Sequence, residues 1–146
     1  MKRVLILVSF LSLLGICQPG ELQADIVVII HPDNPVETLS QRQVIDIFMG
    51  REVRFPNGAT AIPVDQAPNS PVRERYYQQL IGKSIAQINA YWARLLFTGR
   101  ATPPRVLGSN EAVMDTVLNN RDVIAYIDRA DLTDQVKIIY TLQDAP

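Results

Sequence analysis

A single cysteine, Cys17, and a single histidine, His31, are the whole supply of thiol and imidazole in this sequence of 146 residues. One thiol cannot close an intrachain disulfide, so packing alone must hold the fold, even in an oxidising compartment. Metal sites built from thiolate and imidazole are poorly supplied for the same reason. No Gly-x-Ser-x-Gly elbow, Walker loop or dinucleotide fingerprint occurs, so the sequence signatures of serine hydrolases, P-loop enzymes and dinucleotide-binding folds are missing. Basic charge is not in excess: 14 Lys and Arg stand against 15 Asp and Glu, a net charge of −1. That argues against nucleic-acid binding, which shows a basic face. The lack of any block of like charge argues against a polyanion or membrane-surface partner.

Only one apolar run is long, and it lies at the start. Lys2 and Arg3 precede an uncharged stretch from Val4 to Ile16. It is too short to span a bilayer, which takes roughly 20 apolar residues. A charged start, a short apolar run and the small-residue end Leu22-Gln23-Ala24 make a secretory signal, with cleavage before Asp25. Cys17 as a lipidated first residue is the competing reading, against which the bulky Ile16 stands. Residues 25–146 then form one domain of ordinary size, exported to the periplasm or its equivalent. Loss of Lys2, Arg3 and Glu21 turns 14 basic and 15 acidic residues into 12 and 14, a net charge of −2.

Strand and helix signals alternate along this domain. Ile26 to Ile30 is a continuous β-branched run, the mark of a strand buried on both faces. Ser40 with Gln43 forms a capping box, Leu39 can staple onto Val44, and Val44, Ile47 and Phe48 make a buried stripe that Gly50 ends. Phe55-Pro56-Asn57-Gly58 is turn chemistry, and Ala61 to Val64 reads as a short strand. Ser70-Pro71 opens a helix with Val72, Tyr76 and Leu80 along it, stopped by Gly82. Ser84 and Gln87 cap another, with Ile85, Ile88, Trp92, Leu95 and Leu96 inward, ending near Gly99. Ser109 caps a helix with Val113, Val117 and Leu118 inward. Val123 to Ile127 is a strand, Ala130 to Thr133 a helical turn, and Val136 to Leu142 a strand with Val136, Ile138, Tyr140 and Leu142 on one face. The alternation implies an α/β domain, a parallel or mixed sheet with helices on both faces.

Chemistry is sparse. His31 ends a strand before Pro32 and reads as structural, not as a general base. Asp128, Asp131 and Asp134 lack the glycine and closing glutamate of a calcium loop and read as turn and cap residues. No catalytic residue, metal ligand or cofactor site is indicated. Anion binding fares better. Asn69, Ser70 and Arg73 place an amide, a hydroxyl and a guanidinium at one helix N-terminus, where free N–H groups and the helix dipole favour negative charge. Arg94 and Arg100 are further cationic candidates. Tyr76, Tyr77, Tyr91 and Trp92 are aromatics of the kind that anchor interfaces.

Leu39-Ser40-Gln41 through Asp46-Ile47-Phe48-Met49-Gly50 resembles the LS-x-x-Q…DIF-x-G segment of the family of phosphate-binding proteins that feed ABC transporters. Ser109-Asn110-Glu111 and Val123-Ile124-Ala125-Tyr126-Ile127 resemble its later helix and GAIGYV strand. Tyr91-Trp92-Ala93-Arg94 through Phe97-Thr98-Gly99-Arg100 resembles a branch of short, single-domain relatives. The resemblance implies a compact periplasmic-binding-protein-like domain with a mixed sheet flanked by helices. It also implies a non-catalytic solute-binding or accessory role in envelope transport or sensing, nominally for a small anion such as phosphate. Of the family's anion loop only Ser70 carries over, and the helix-start reading adds Asn69 and Arg73 as ligands with Arg100 as a further contributor. The chain departs from the family where its anion loop falls, at Pro63 to Ser70. Asp65 stands at or near the family's arginine, and Pro71 and Val72 replace its glycine and threonine. These exchanges imply weak phosphate binding, and a gain in affinity if Asp65 became arginine. The alternative is a domain without ligand that docks another envelope protein.

Mass spectrometry of the envelope fraction should find a mature N-terminus at Asp25. A lipid-modified Cys17 there would overturn both the cleavage site and the free, unanchored domain.

Overall fold

The structure, a computed structural model, describes residues 25–143; the leader reading, Cys17 included, lies outside them. Five strands, β1 (Ile26–Ile30), β2 (Ile62–Gln66), β3 (Arg105–Leu107), β4 (Val123–Asp128) and β5 (Lys137–Leu142), form one sheet in the order β3-β2-β4-β1-β5. β2 runs parallel to β3 and β4, whereas β1 is antiparallel to β4 and β5. The sheet is mixed, as the sequence implies. Helices α1 (Gln41–Phe48), α2 (Pro71–Ile81) and α3 (Ile85–Phe97) cover one face, and α4 (Asn110–Asn119) the other.

The alternation of the central strands builds both cores at once. Ile26, Val28 and Ile30 with Ile124 and Tyr126 point to the larger core, which Val44, Phe48, Tyr76, Tyr77, Leu80 and Trp92 complete. Val27 and Ile29 with Val123, Ala125 and Ile127 point to the smaller, against Val113 and Val117. A strand with helices on both sides has no solvent face, hence the unbroken apolar run of β1.

Local signals set the helix starts. Ser40 and Ser84 each close a full capping box with Gln43 and Gln87. Ser70 caps α2 ahead of Pro71, and Ser109 caps α4 through the Ala112 amide. Gly50 and Gly82 follow α1 and α2 in the left-handed region, at φ of 68° and 64°, which only glycine adopts without strain.

Five expectations need correction. β3 is a strand the sequence does not announce, formed where the chain leaves Pro103-Pro104 and pairs Val64 with Arg105, Asp65 with Val106 and Gln66 with Leu107. That pairing carries β2 on through Asp65 and Gln66, beyond the expected end at Val64. A bulge breaks the alternation of β5: Val28 pairs with Tyr140 but Ile29 with Ile138. Ile139 is the extra residue, so Tyr140 and Leu142 face the larger core while Val136 and Ile138 face the smaller. Leu96 is exposed and Leu118 only half-buried, each at the margin of its helix's inward stripe. The helical turn is a 3-10 turn at Arg129–Asp131, displaced toward the strand because Asp128 caps it through the Ala130 amide.

Gly50 joins the fold's local and tertiary constraints. A Cβ there would lie 2.8 Å from Cη2 of Trp92, and its φ is positive. Gly50→Ala should therefore cost about 1–3 kcal/mol, read as a lower urea midpoint at unchanged slope; no change would show that Trp92 can move aside.

Candidate functional site

The carboxyl ends of β2 and β3 lead into the N-termini of α2 and α4, and this geometry makes a cleft. After Gln66 the chain turns through Ala67 to Asn69, closed by the Ser70 amide donating to the Ala67 carbonyl at 2.9 Å. After Leu107, Gly108 leads into Ser109 and α4. The two helix starts flank a cavity of about 280 Å3 lined by Gln66, Ala67, Ser70, Val72, Leu107 and Ser109 among others, with no carboxylate in its lining. The amides of Val72 and Asn110 find no acceptor among the described residues. Two positive helix ends therefore open on one small space. Parallel strands whose following helices flank a crevice present their ligand sites at this end.

The expected site residues are dispersed. Ser70 lines the cleft, but its hydroxyl is already engaged: it donates to Gln66 Oε1 at 2.8 Å and accepts from the Arg73 amide at 3.4 Å. Asn69 is exposed in the adjoining turn. Arg73 does not face solvent. Its guanidinium is buried behind the cleft, donating through Nε to Asp65 Oδ2 at 2.9 Å and through an Nη to Asn89 Oδ1 at 3.4 Å, over the Tyr77 ring. Nη1 is buried without an acceptor among the described residues. Arg100 is exposed beside Ile62 and Arg105, which begin β2 and β3. It therefore sits at the opposite end of the strands, ~13 Å away at the usual rise per residue.

Asp65 is not the anion-repelling group that the loop alignment implies. It is 3% exposed, and its carboxylate accepts from Arg73, the Tyr77 hydroxyl at 3.0 Å, the Tyr126 hydroxyl and the Gln66 amide at 2.8 Å. Burial, and then the neighbouring Asp65 charge, push the phenols of Tyr77 and Tyr126 well above the ordinary range. Both stay protonated and act as donors. An arginine at 65 would meet the Arg73 guanidinium in the same buried space, so it would break this cluster and not strengthen a site. Gln66 extends the network, donating through Nε2 to the Tyr126 carbonyl at 2.9 Å.

Other candidates resolve simply. His31 Nδ1 accepts from the Asp33 amide at 3.0 Å, closing the turn after β1. Asp128 pairs with Arg75 at 2.6 Å. Of the four aromatics considered for an interface, Tyr76, Tyr77 and Trp92 are buried in the larger core; Tyr91 alone reaches the surface, half-buried. Sequence reasoning missed the part that α4 plays in the cleft. The Ser109 cap was legible, but its place beside Ser70 depends on the pairing of β3 with β2.

Solved structures of similar fold are described as phosphate-binding or phosphate-transport proteins. A protein described as a phosphate ABC transporter substrate-binding protein from Clostridium perfringens, solved with phosphate bound, superposes with a TM-score of 0.64 at 19% identity, over 80% of this chain and 44% of that one. An ABC-type phosphate transport receptor from Vibrio cholerae gives 0.63 at 17%, over 80% and 45%. PstS from Borrelia burgdorferi gives 0.59 at 14%, over 80% and 46%. This chain has the fold of one lobe of such a protein. It spans less than half the length of those it matches. No family model and no curated protein matches the sequence. Among the described residues, no helix is long and apolar enough to cross a membrane.

The Asp65–Arg73 pair should behave as a buried ion pair. Arg73→Met should cost about 3–5 kcal/mol by leaving a carboxylate uncompensated, and adding Asp65→Asn should restore part of that. Additive losses in urea denaturation would show that the two do not interact.

Proposed function

We propose that this chain is an exported, non-catalytic binding domain that takes a small inorganic anion such as phosphate, weakly, between the N-termini of α2 and α4. The observation that carries the reading is the convergence of two helix starts on a cleft whose lining holds no carboxylate. The likeness to one lobe of phosphate-binding proteins supports it. The role would be an accessory one in envelope transport or sensing. Export rests on the leader at residues 1–24.

Weak affinity follows from the same geometry. Arg73, the nearest cation, is spent on Asp65. Ser70 must give up Gln66 to donate to a ligand. The cleft opens to water, where Coulomb energy at ~4 Å falls to about 1 kcal/mol. A second reading, a domain that docks another envelope protein, is favoured by Phe97, which is 94% exposed at the end of α3.

Titration with phosphate, followed by nuclear magnetic resonance, should shift the amides of Val72 and Asn110 first. The dissociation constant should be millimolar or weaker, about −4 kcal/mol, and weaken with added salt. Ser70→Ala should weaken it further. Sub-micromolar affinity would refute the weak-site argument, and shifts confined to other surfaces would refute the location.

A further inference from the structure

A second cavity, on the opposite side of α2 from its N-terminus, has different chemistry. It measures about 560 Å3 and runs between α1 and α3, closed at one end by the C-terminus of α2. Ile45, Met49, Ile81, Ile88 and Tyr91 supply apolar surface, and Arg51, Lys83 and Arg94 supply the charge; no carboxylate lines it. Tyr91 is fixed across it by a hydrogen bond from its hydroxyl to the Met49 carbonyl at 2.7 Å. Arg51 is shared with Asp46 at 3.5 Å. Among the described residues no carboxylate pairs with Lys83 or Arg94 within salt-bridge distance. Arg94 instead lies over the Tyr91 ring, 6.0 Å from its centre. Three cations around an apolar floor are conspicuous in a chain of net charge −1.

The shape suits a helix. The wall that α3 provides runs from Gln87 to Arg94, about two helical turns or ~10 Å. Phe97 follows Ala90 by seven residues, so helical spacing sets it on the same side about two turns further on. It is almost wholly exposed, an aromatic anchor without a covering element.

From this we propose that the α1–α3 groove docks an acidic amphipathic helix of another protein, its apolar face on Tyr91 and Phe97 and its carboxylates against Lys83 and Arg94. Amphipathic helices seat in apolar grooves through anchors at i, i+3/4 and i+7, and flanking charge sets the partner. The inference rests on the docking reading above and is independent of the anion cleft. The chain's own apolar run at Val4 to Ile16 has the wrong charge, being preceded by Lys2 and Arg3. A second copy could offer α4, with Glu111 and Asp115 exposed. That helix lies on the opposite face of the sheet, so such contacts would be head-to-tail and would not close a dimer.

The test is a selection of displayed amphipathic helices, randomised at apolar and flanking positions, against the protein produced from its full sequence. Selected helices should favour Asp and Glu over Lys and Arg at flanking positions by about tenfold. The surface double variant Lys83→Glu/Arg94→Glu, checked for unchanged circular dichroism and melting, should lose or reverse that bias. Binders without acidic bias, or a bias unchanged by the variant, would overturn the assigned partner chemistry while leaving docking intact. Enrichment of no helix at all would overturn the docking reading as well. Concentration-dependent association of the wild type that the same variant abolishes would overturn the inference in favour of a second copy.

Discussion

A buried carboxylate on a central strand is costly unless every lone pair is met, and Asp65 is met from three directions. Arg73 reaches it from α2, Tyr126 from β4 and Tyr77 from the next turn of α2, with the following backbone amide completing the set. The aromatic members are themselves locked: the Tyr76 and Tyr126 rings stack at 3.6 Å, and Phe48 of α1 meets both edge-on. One polar cluster thus ties the sheet to two of the helices on its larger face. Because the contacts are directional, it also sets where α2 begins relative to the end of β2, and so where the cleft opens.

The same cluster decides what the cleft can do chemically. A guanidinium at the third position of α2 would ordinarily extend toward a bound anion or into water. Here it turns inward, because an ionised Asp65 in the core needs it more than an exposed ligand would. What remains at the cleft is weaker chemistry, backbone amides and hydroxyls at two helix starts. Two-lobed binding proteins of the kind this chain resembles are more than twice as long as the stretch it covers. The cleft described here opens to water, which weakens the dipoles that make helix ends attractive to anions.

The two faces of α2's neighbourhood differ in a way that composition conceals. Near its N-terminus the surface is neutral and donor-rich; near its C-terminus, between α1 and α3, it is apolar with a cationic border. Exposed carboxylates lie on other surfaces too, Glu111 and Asp115 of α4 among them. A net charge close to zero is therefore an average over surfaces of distinct character.

Helix starts, glycine stops and the buried character of β1 and β4 were legible because each depends on residues within a turn of one another, or on burial so complete that the pattern becomes an unbroken apolar run. The α/β class followed from their alternation. Three features could not be read, and all depend on distant partners. β3 is short and partly exposed, and exists because β2 offers it an edge. The bulge at Ile139 comes from the register that β1 imposes, so strict alternation put Val136 and Ile138 on one face with Tyr140 and Leu142, which the fold separates. Arg73 has the local signature of an anion ligand, and only the placement of Asp65 against it, eight residues earlier and itself held by Tyr126 of the neighbouring strand, turns it into a core residue. Local hydrogen bonds and period are written in the order of the residues. The destination of a charge is set by which other charges the fold brings within reach.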